Sequence, residues 1–239
     1  PEHIEDIKAD WKRLRDLGKL TEDASYQHHG GKPVVALWGM GFNDNRKYTP
    51  ADVLGLVEFL KNDPVYGGNT VMLGVPCYWR TLSRDCLNDP MVTQTILAAD
   101  IVSPWTIGRF GTPEQATAYQ RDVASADLAW CQEHGKEFLP VVFPGFSWHN
   151  MFADSPQNAI PRLQGKFLWA QYLAAAKAGQ TMIYQAMFDE VDEGTAIFKC
   201  TNDPPVGEST FCDYEGLPED FYLRLVGAGG KLIRGALPQ

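Results

Sequence analysis

The chain has 239 residues, of which 44% are hydrophobic and 21% charged, the balance of a globular protein with a substantial core. A formal charge of −9 and the absence of any basic run argue against nucleic acid or an anionic lipid surface as partner. No apolar stretch reaches membrane-spanning length, no signal-peptide pattern is present, and five scattered cysteines (Cys77, Cys86, Cys131, Cys200, Cys212) lack the CxxC spacing of a zinc or redox site. Their odd count argues against a full disulfide framework. A Cys77–Cys86 or Cys200–Cys212 pair stays open, and so does the compartment.

In chain order, "HIEDIKADWKRLRDLG" has the spacing of an opening helix, and "KPVVALWGM" (32–40) is the first β-rich apolar run. "TPADVLGLVEFLKND" then predicts a helix with Thr49 as N-cap and Pro50 at its first position. Two further runs follow, "NTVMLGVP" (69–76) and "ADIVSPW" (99–105). "TPEQATAYQRDVASADLAWCQEHG" repeats the Thr-Pro start and stops at His134-Gly135. After "FLPVVFPGF" (138–146) come a helix in "IPRLQGKFLWAQYLAAAKAG", a run in "TMIYQAMF" (181–188), and a last helix in "LPEDFYLRLVGAGGKLIRG".

The five runs are near-continuous rather than alternating, as in parallel strands buried on both faces. Strand and helix alternate as in βα units, and no linker divides the chain, so one domain over 1–239 is expected. An open doubly wound sheet and a (β/α)8 barrel both fit this alternation. Dinucleotide binding is disfavoured, because no strand leads into GxGxxG and "GAGG" (227–230) falls in or after the last helix.

The ends of these strands are rich in aromatic and polar residues. Trp38, Phe42, Tyr78, Trp79, Trp105, Phe146 and Trp148 are interleaved with Arg80, Arg109, His149 and Asn150. At the carboxyl ends of parallel strands such loops form an active-site face. Flat rings among hydrogen-bonding groups suit a sugar, with its apolar C–H faces and its hydroxyls. The expectation is one cleft of roughly several hundred Å3. Trp and Phe are also ordinary core residues, so two or three of the seven are expected simply to pack under the loops. Arg80 has a bland alternative in an ion pair with Asp85 or Asp89, and His149 in a satisfied loop.

"FDEVDEG" (188–194) crowds Asp189, Glu190, Asp192 and Glu193 at the end of the last run. On a helical turn, residues three apart hold their Cβ atoms about 5–6 Å apart. Retaining glycosidases hold two carboxyl groups about 5 Å apart, one acting on the sugar and the other protonating the leaving oxygen. Mutual repulsion would keep one of the pair protonated near neutral pH. A solvated acidic loop, or a first helical turn favoured by its dipole, accounts for the stretch alone equally well. The aromatic strand ends tip the balance to catalysis.

With "GKPVVALWG", "VPCYWRT", "PGFSWHN" and Glu190-x-x-Glu193-Gly194 in place, the chain resembles glycoside hydrolase family 71/99-like proteins, relatives of endo-α-mannosidases and endo-α-1,2-mannanases. The resemblance runs from about Lys32 onward. It implies a (β/α)8 TIM-type barrel that is incomplete in this chain, with about five βα units forming its C-terminal part and the N-terminal strands lacking; such a barrel typically needs about 250 residues. It also implies a retaining glycoside hydrolase acting on an α-linked glycan, mannan-like or another polysaccharide. Glu190 then takes the proton of the sugar's 2-hydroxyl, giving a 1,2-anhydro intermediate, and Glu193 is the general acid/base.

Trp38, Tyr78, Trp79, Arg80, Trp105, Phe146, Trp148, His149, Asn150, Asp189 and Asp192 are the expected substrate contacts. One departure matters: the endo-mannosidases usually place Trp-His between the two glutamates, where this chain has Val191-Asp192. That leaves a catalytically silent carbohydrate-binding protein on the same barrel as the alternative. No cofactor is expected, although the 189–193 carboxylates could hold a divalent cation. The expected partners are an oligo- or polysaccharide and whatever completes the barrel, either its N-terminal part or another chain.

Overall fold

The computed structural model describes residues 3–205 and 207–237. In chain order it contains α1 (Ile4–Asp16), β1 (His28–His29), β2 (Lys32–Trp38), α2 (Pro50–Asn62), β3 (Thr70–Val75), α3 (Pro90–Ala98), β4 (Ile101–Pro104), α4 (Pro113–Tyr119) and α5 (Ser125–Glu133). Then come β5 (Glu137–Phe138), β6 (Val141–Val142), α6 (Lys166–Lys177), β7 (Tyr184–Gln185) and α7 (Phe221–Ile233). The chain forms two compact units. The first runs up to Trp105 and includes Trp130–Phe138, and the second comprises Thr106–Ala129 and everything from Leu139.

In the first unit β1 to β5 form one sheet in sequence order. Strands β2 to β5 are all parallel, with Trp38 opposite Gly74, Met72 opposite Ile101 and Ile101 opposite Glu137. Only β1 is antiparallel, folded back on the start of β2. The Thr49-Pro50 start works as expected: the Thr49 hydroxyl accepts from the Asp52 N–H, and the Asp52 carboxylate accepts from the Thr49 N–H. From that cap, Val53, Leu56, Val57 and Leu60 fall on one helical stripe and are buried. They cover a sheet face that includes the buried Val71, Leu73 and Val75. Each such aliphatic side chain contributes about 1.5–3 kcal/mol on burial. Asp100 ties the layers together, accepting from the Val71 N–H at 2.9 Å and from Lys61 at 2.6 Å.

Helix α3 has no counterpart in the sequence expectations, yet it follows the same rule. Asp89 caps it by accepting from the Met91 N–H, and Pro90 opens it. It packs on α2, and the Thr95 hydroxyl donates to the Pro50 carbonyl at 2.9 Å.

In the second unit β6 and β7 pair in parallel, Val141 opposite Tyr184 and Val142 opposite Gln185. Leu168, Tyr172, Ile197, Tyr214, Tyr222 and Leu232 form its core with α6 and α7. The "GAGG" stretch lies inside α7. Two runs expected as long strands are shorter here. The 138–146 run breaks at Leu139-Pro140, because Pro140 has no N–H to donate, although its carbonyl still accepts from the Tyr184 N–H. The 181–188 run ends when the Met187 N–H turns to the Thr195 carbonyl. The helix expected over 112–134 carries a π-helical turn at Gln120–Ala124 and ends at Gly135, whose φ is +63°.

All five cysteines are free thiols, so neither candidate disulfide forms in this structure. Among the described residues no helix is long and apolar enough to cross a membrane.

Candidate active site

The four carboxylates sit on a loop of the second unit that backbone bonds close at its base. After β7, the Met187 N–H donates to the Thr195 carbonyl, and the Ile197 and Phe198 N–H groups both donate to Phe188. Inside this frame the Thr195 N–H donates to Glu190, and the Gly194 N–H to Val191. The second of these bonds makes a turn of residues 191–194, and Gly194 closes it with a φ of +66° that side chains disfavour. A Cβ there would also lie 3.2 Å from the Cys212 sulfur. The turn is docked on the strand end after β6, where the Ser147 N–H donates to the Glu193 carbonyl at 2.8 Å. Gln171 fixes the preceding backbone. Its amide donates to the Phe143 carbonyl and accepts from the Phe143 N–H.

Glu193 is half-buried, and burial is the largest cause that raises its pKa above the ordinary carboxylate range. The neighbouring negative charge of Glu190 raises it further, and that of Asp192 adds to this. The Trp148 indole N–H, donating to the Glu193 carboxyl, works in the opposite direction. The Glu190 carboxylate accepts from the Asp192 N–H at 3.0 Å, which orients it across the turn. Asp189 and Asp192 are exposed. Among the described residues no group of three or more His, Cys, Asp or Glu side chains is arranged to hold a metal ion.

Trp148 is 45% exposed and lies 5.9 Å from Phe146 and 4.9 Å from Phe152, between ring centroids. Met151, Phe152 and Phe188 are more than half exposed. Sequence reasoning did not select these three, since isolated apolar side chains in loops carry no periodicity. His149 donates from Nδ1 to the Ser155 carbonyl at 2.8 Å. Asn150 accepts from the Thr210 N–H at 3.3 Å, tying two loops of this unit together.

The aromatic residues of the first unit divide into two groups. Trp38, Phe42 and Trp105 cluster, with Trp38 lying 5.0 Å from Phe42 and 5.4 Å edge-on from Trp105. The Arg46 guanidinium lies 4.9 Å over Trp38. Gly74 permits this arrangement, since a Cβ there would sit 2.3 Å from the Trp38 ring. Tyr78 carries Arg84 over its ring at 4.3 Å, and Arg80 is partly exposed. Trp79 corrects the expectation of a sugar-facing ring. It is 1% exposed and packs edge-on against Trp130 at 4.9 Å, as a core residue. Concave volume occurs in each unit: about 400 Å3 in the first, where Ile4, Leu37, Trp38 and Leu56 line an apolar groove, and about 270 Å3 in the second, beside Arg162 and Cys212.

Parallel βα units carrying a half-buried carboxyl beside a second carboxylate in a strand-end loop have the construction of a glycosidase-type barrel. Residues 116–229 match the family model described as Glycosyl hydrolase family 99, a span that contains Phe146–Asn150 and Asp189–Glu193. Over the whole length the fold agrees with solved structures. The GH99 endo-alpha-mannosidase from Bacteroides thetaiotaomicron aligns with a TM-score of 0.72 and 18% identity, over 98% of this chain and 63% of its own. A structure of the GH99 endo-alpha-mannosidase from that organism in complex with BIS-TRIS-Propane aligns with a TM-score of 0.65 at 18% identity, over 98% and 66% respectively. No curated protein matches the chain. The chain is thus similar to family 99 proteins over residues 116–229 and shares the (β/α)8-type fold of these solved structures, of which it spans about two thirds or less.

Proposed function

We propose that this chain carries the catalytic carboxylates of a retaining glycoside hydrolase acting on an α-linked glycan. The observation that carries the proposal is the environment of Glu193, whose pKa is raised by burial and by the charge of Glu190 beside it, the direction a general acid needs. In this mechanism Glu193 gives its proton to the glycosidic oxygen as the bond to C1 breaks. Glu190 takes the proton of the 2-hydroxyl as O2 attacks C1, forming a 1,2-anhydro sugar. Water then attacks C1 and yields its proton to Glu193, while O2 recovers a proton from Glu190. Two inversions at C1 leave the configuration retained, and no metal or organic cofactor takes part.

Trp148, Phe146 and Phe152 offer stacking faces for the glycan, and His149, Asp189 and Asp192 offer partners for its hydroxyls. Trp38, Tyr78, Arg80 and Trp105 are further candidates for substrate contact. The matched solved enzymes are named endo-alpha-mannosidases, so an α-mannoside chain is the first substrate to try. The remaining part of the barrel, from the same polypeptide or from another chain, is the proposed partner of this segment.

Val191-Asp192, in place of the aromatic-histidine pair of the resembling enzymes, favours a second reading in which the protein binds glycan without cleaving it. Nuclear magnetic resonance of the first sugar released by the full-length protein separates the two. Release of product with its α configuration retained is expected. Initial release of the β anomer contradicts the retaining mechanism, and binding with no release supports the silent protein.

A further inference from the structure

We propose that Arg162 is a positioning residue that fixes the Glu190–Glu193 turn by clamping the backbone that leaves it. Arg162 is 2% exposed, and its Nη2 donates to the carbonyl of Gly194 at 2.9 Å and to that of Ala196 at 2.7 Å. Its guanidinium is held by two aromatic faces, 4.9 Å from the Tyr214 ring and 4.5 Å from the Tyr222 ring. The Tyr214 hydroxyl donates to the Phe198 carbonyl, two residues further along the same segment. One rigid fork, seated in the core of the unit, therefore sets the path of the chain immediately after Glu193.

The form of this clamp is unusual for a purely structural one. None of the described ion pairs gives Arg162 a carboxylate partner. Burying a charge on those terms is unfavourable, and neutral donors could hold two carbonyls. What the guanidinium adds is a planar, pre-organised donor that a flexible amide or ammonium lacks. Precision matters here, because a cavity of about 270 Å3 lined by Arg162, Cys212, Asp213 and Glu215 adjoins the clamp. The Cys212 sulfur also lies against Gly194. Without the clamp the turn has room to sag, and water would reach the Glu193 carboxyl. A misplacement of about 1 Å at a reacting group costs on the order of 100-fold in rate.

The catalytic consequence rests on the proposed hydrolase function, and so the test has a readout that does not. Full-length protein with Glu labelled with 13C at the side-chain carboxyl would be titrated as parent, Arg162→Lys and Arg162→Met. In the variants Glu193 is expected to titrate lower than in the parent, nearer an ordinary glutamate, with Met having the larger effect. On a cleaved glycan kcat should fall about 100-fold while KM changes little. An unchanged Glu193 titration in folded Arg162→Lys overturns the proposal. Should both variants fail to fold, hydrogen exchange in the parent decides instead. A clamped turn protects the Gly194 and Thr195 amides as strongly as those of α6, and exchange by easy local opening overturns it. A parent that cleaves no glycan would sink the hydrolase function, while the titration would still decide the role of Arg162.

Discussion

The Trp148 ring lies 4.9 Å from Phe152, and its indole N–H acts on the Glu193 carboxyl, lowering the pKa of the candidate acid against burial and the Glu190 charge. Trp148→Phe keeps a flat apolar face and removes the N–H. The Glu193 pKa should then rise further, and the alkaline limb of kcat/KM should move to higher pH, since the acid stays protonated longer. A pH–rate profile of the two proteins checks this, and an unmoved alkaline limb would count against Glu193 as the acid.

Stability should respond to the same group. Glu193 has a folded pKa above its unfolded value, so the folded state binds the proton more tightly. Its contribution is fully present below the unfolded pKa of about 4.3 and is lost as pH rises through the folded value. Glu193→Gln, a neutral isostere, should therefore raise Tm at neutral pH, with the gain vanishing below about pH 4. Each kcal/mol relieved corresponds to roughly 2–4 °C in a chain of this size. Calorimetry at two pH values measures it. A loss of Tm at neutral pH would mean that the Glu193 charge is stabilising.

Much of the scaffold could be read from local chemistry. Thr49-Pro50 and Thr112-Pro113 started helices where their capping groups required it, and the parallel order of the apolar runs followed from their unbroken character. Asp89-Pro90 obeys the same rule, but a helix of nine residues is too short to stand out by periodicity. Composition alone could not separate the buried Trp79 from the exposed Trp38, because both lie near strand ends in similar aromatic settings. Arg162 was illegible for another reason. Its role depends on carbonyls 32 and 34 residues away, and no local pattern encodes such a contact.

The turn itself can be tested through Gly194. A side chain at a φ of +66° is strained, and its Cβ would crowd the Cys212 sulfur at 3.2 Å. Gly194→Ala should cost about 1–2 kcal/mol, seen as a lower denaturant midpoint at unchanged slope. A neutral result would mean that the 191–194 turn is not a fixed feature.

Stacking and core roles should separate by experiment. Phe152→Ala removes an exposed ring beside Trp148, and should weaken glycan binding about 3–10-fold with little change in Tm. Trp79→Ala removes a buried ring packed on Trp130, and should cost about 3–5 kcal/mol of stability. Calorimetric titration and thermal unfolding of both variants check the pair. The reverse pattern would return Trp79 to the binding surface.

The central claim is that Glu190 and Glu193 perform the chemistry, and paired kinetics on the full-length protein test it most directly. Turnover of an α-linked glycan and affinity for the intact glycan would be measured for parent, Glu190→Gln and Glu193→Gln. Each change keeps shape and removes the titratable group. Turnover should fall at least ~100-fold in both variants, while the intact glycan still binds. Turnover near that of the parent in both variants would contradict the account and move the chemistry to other residues, with Asp189 and Asp192 next to be tested.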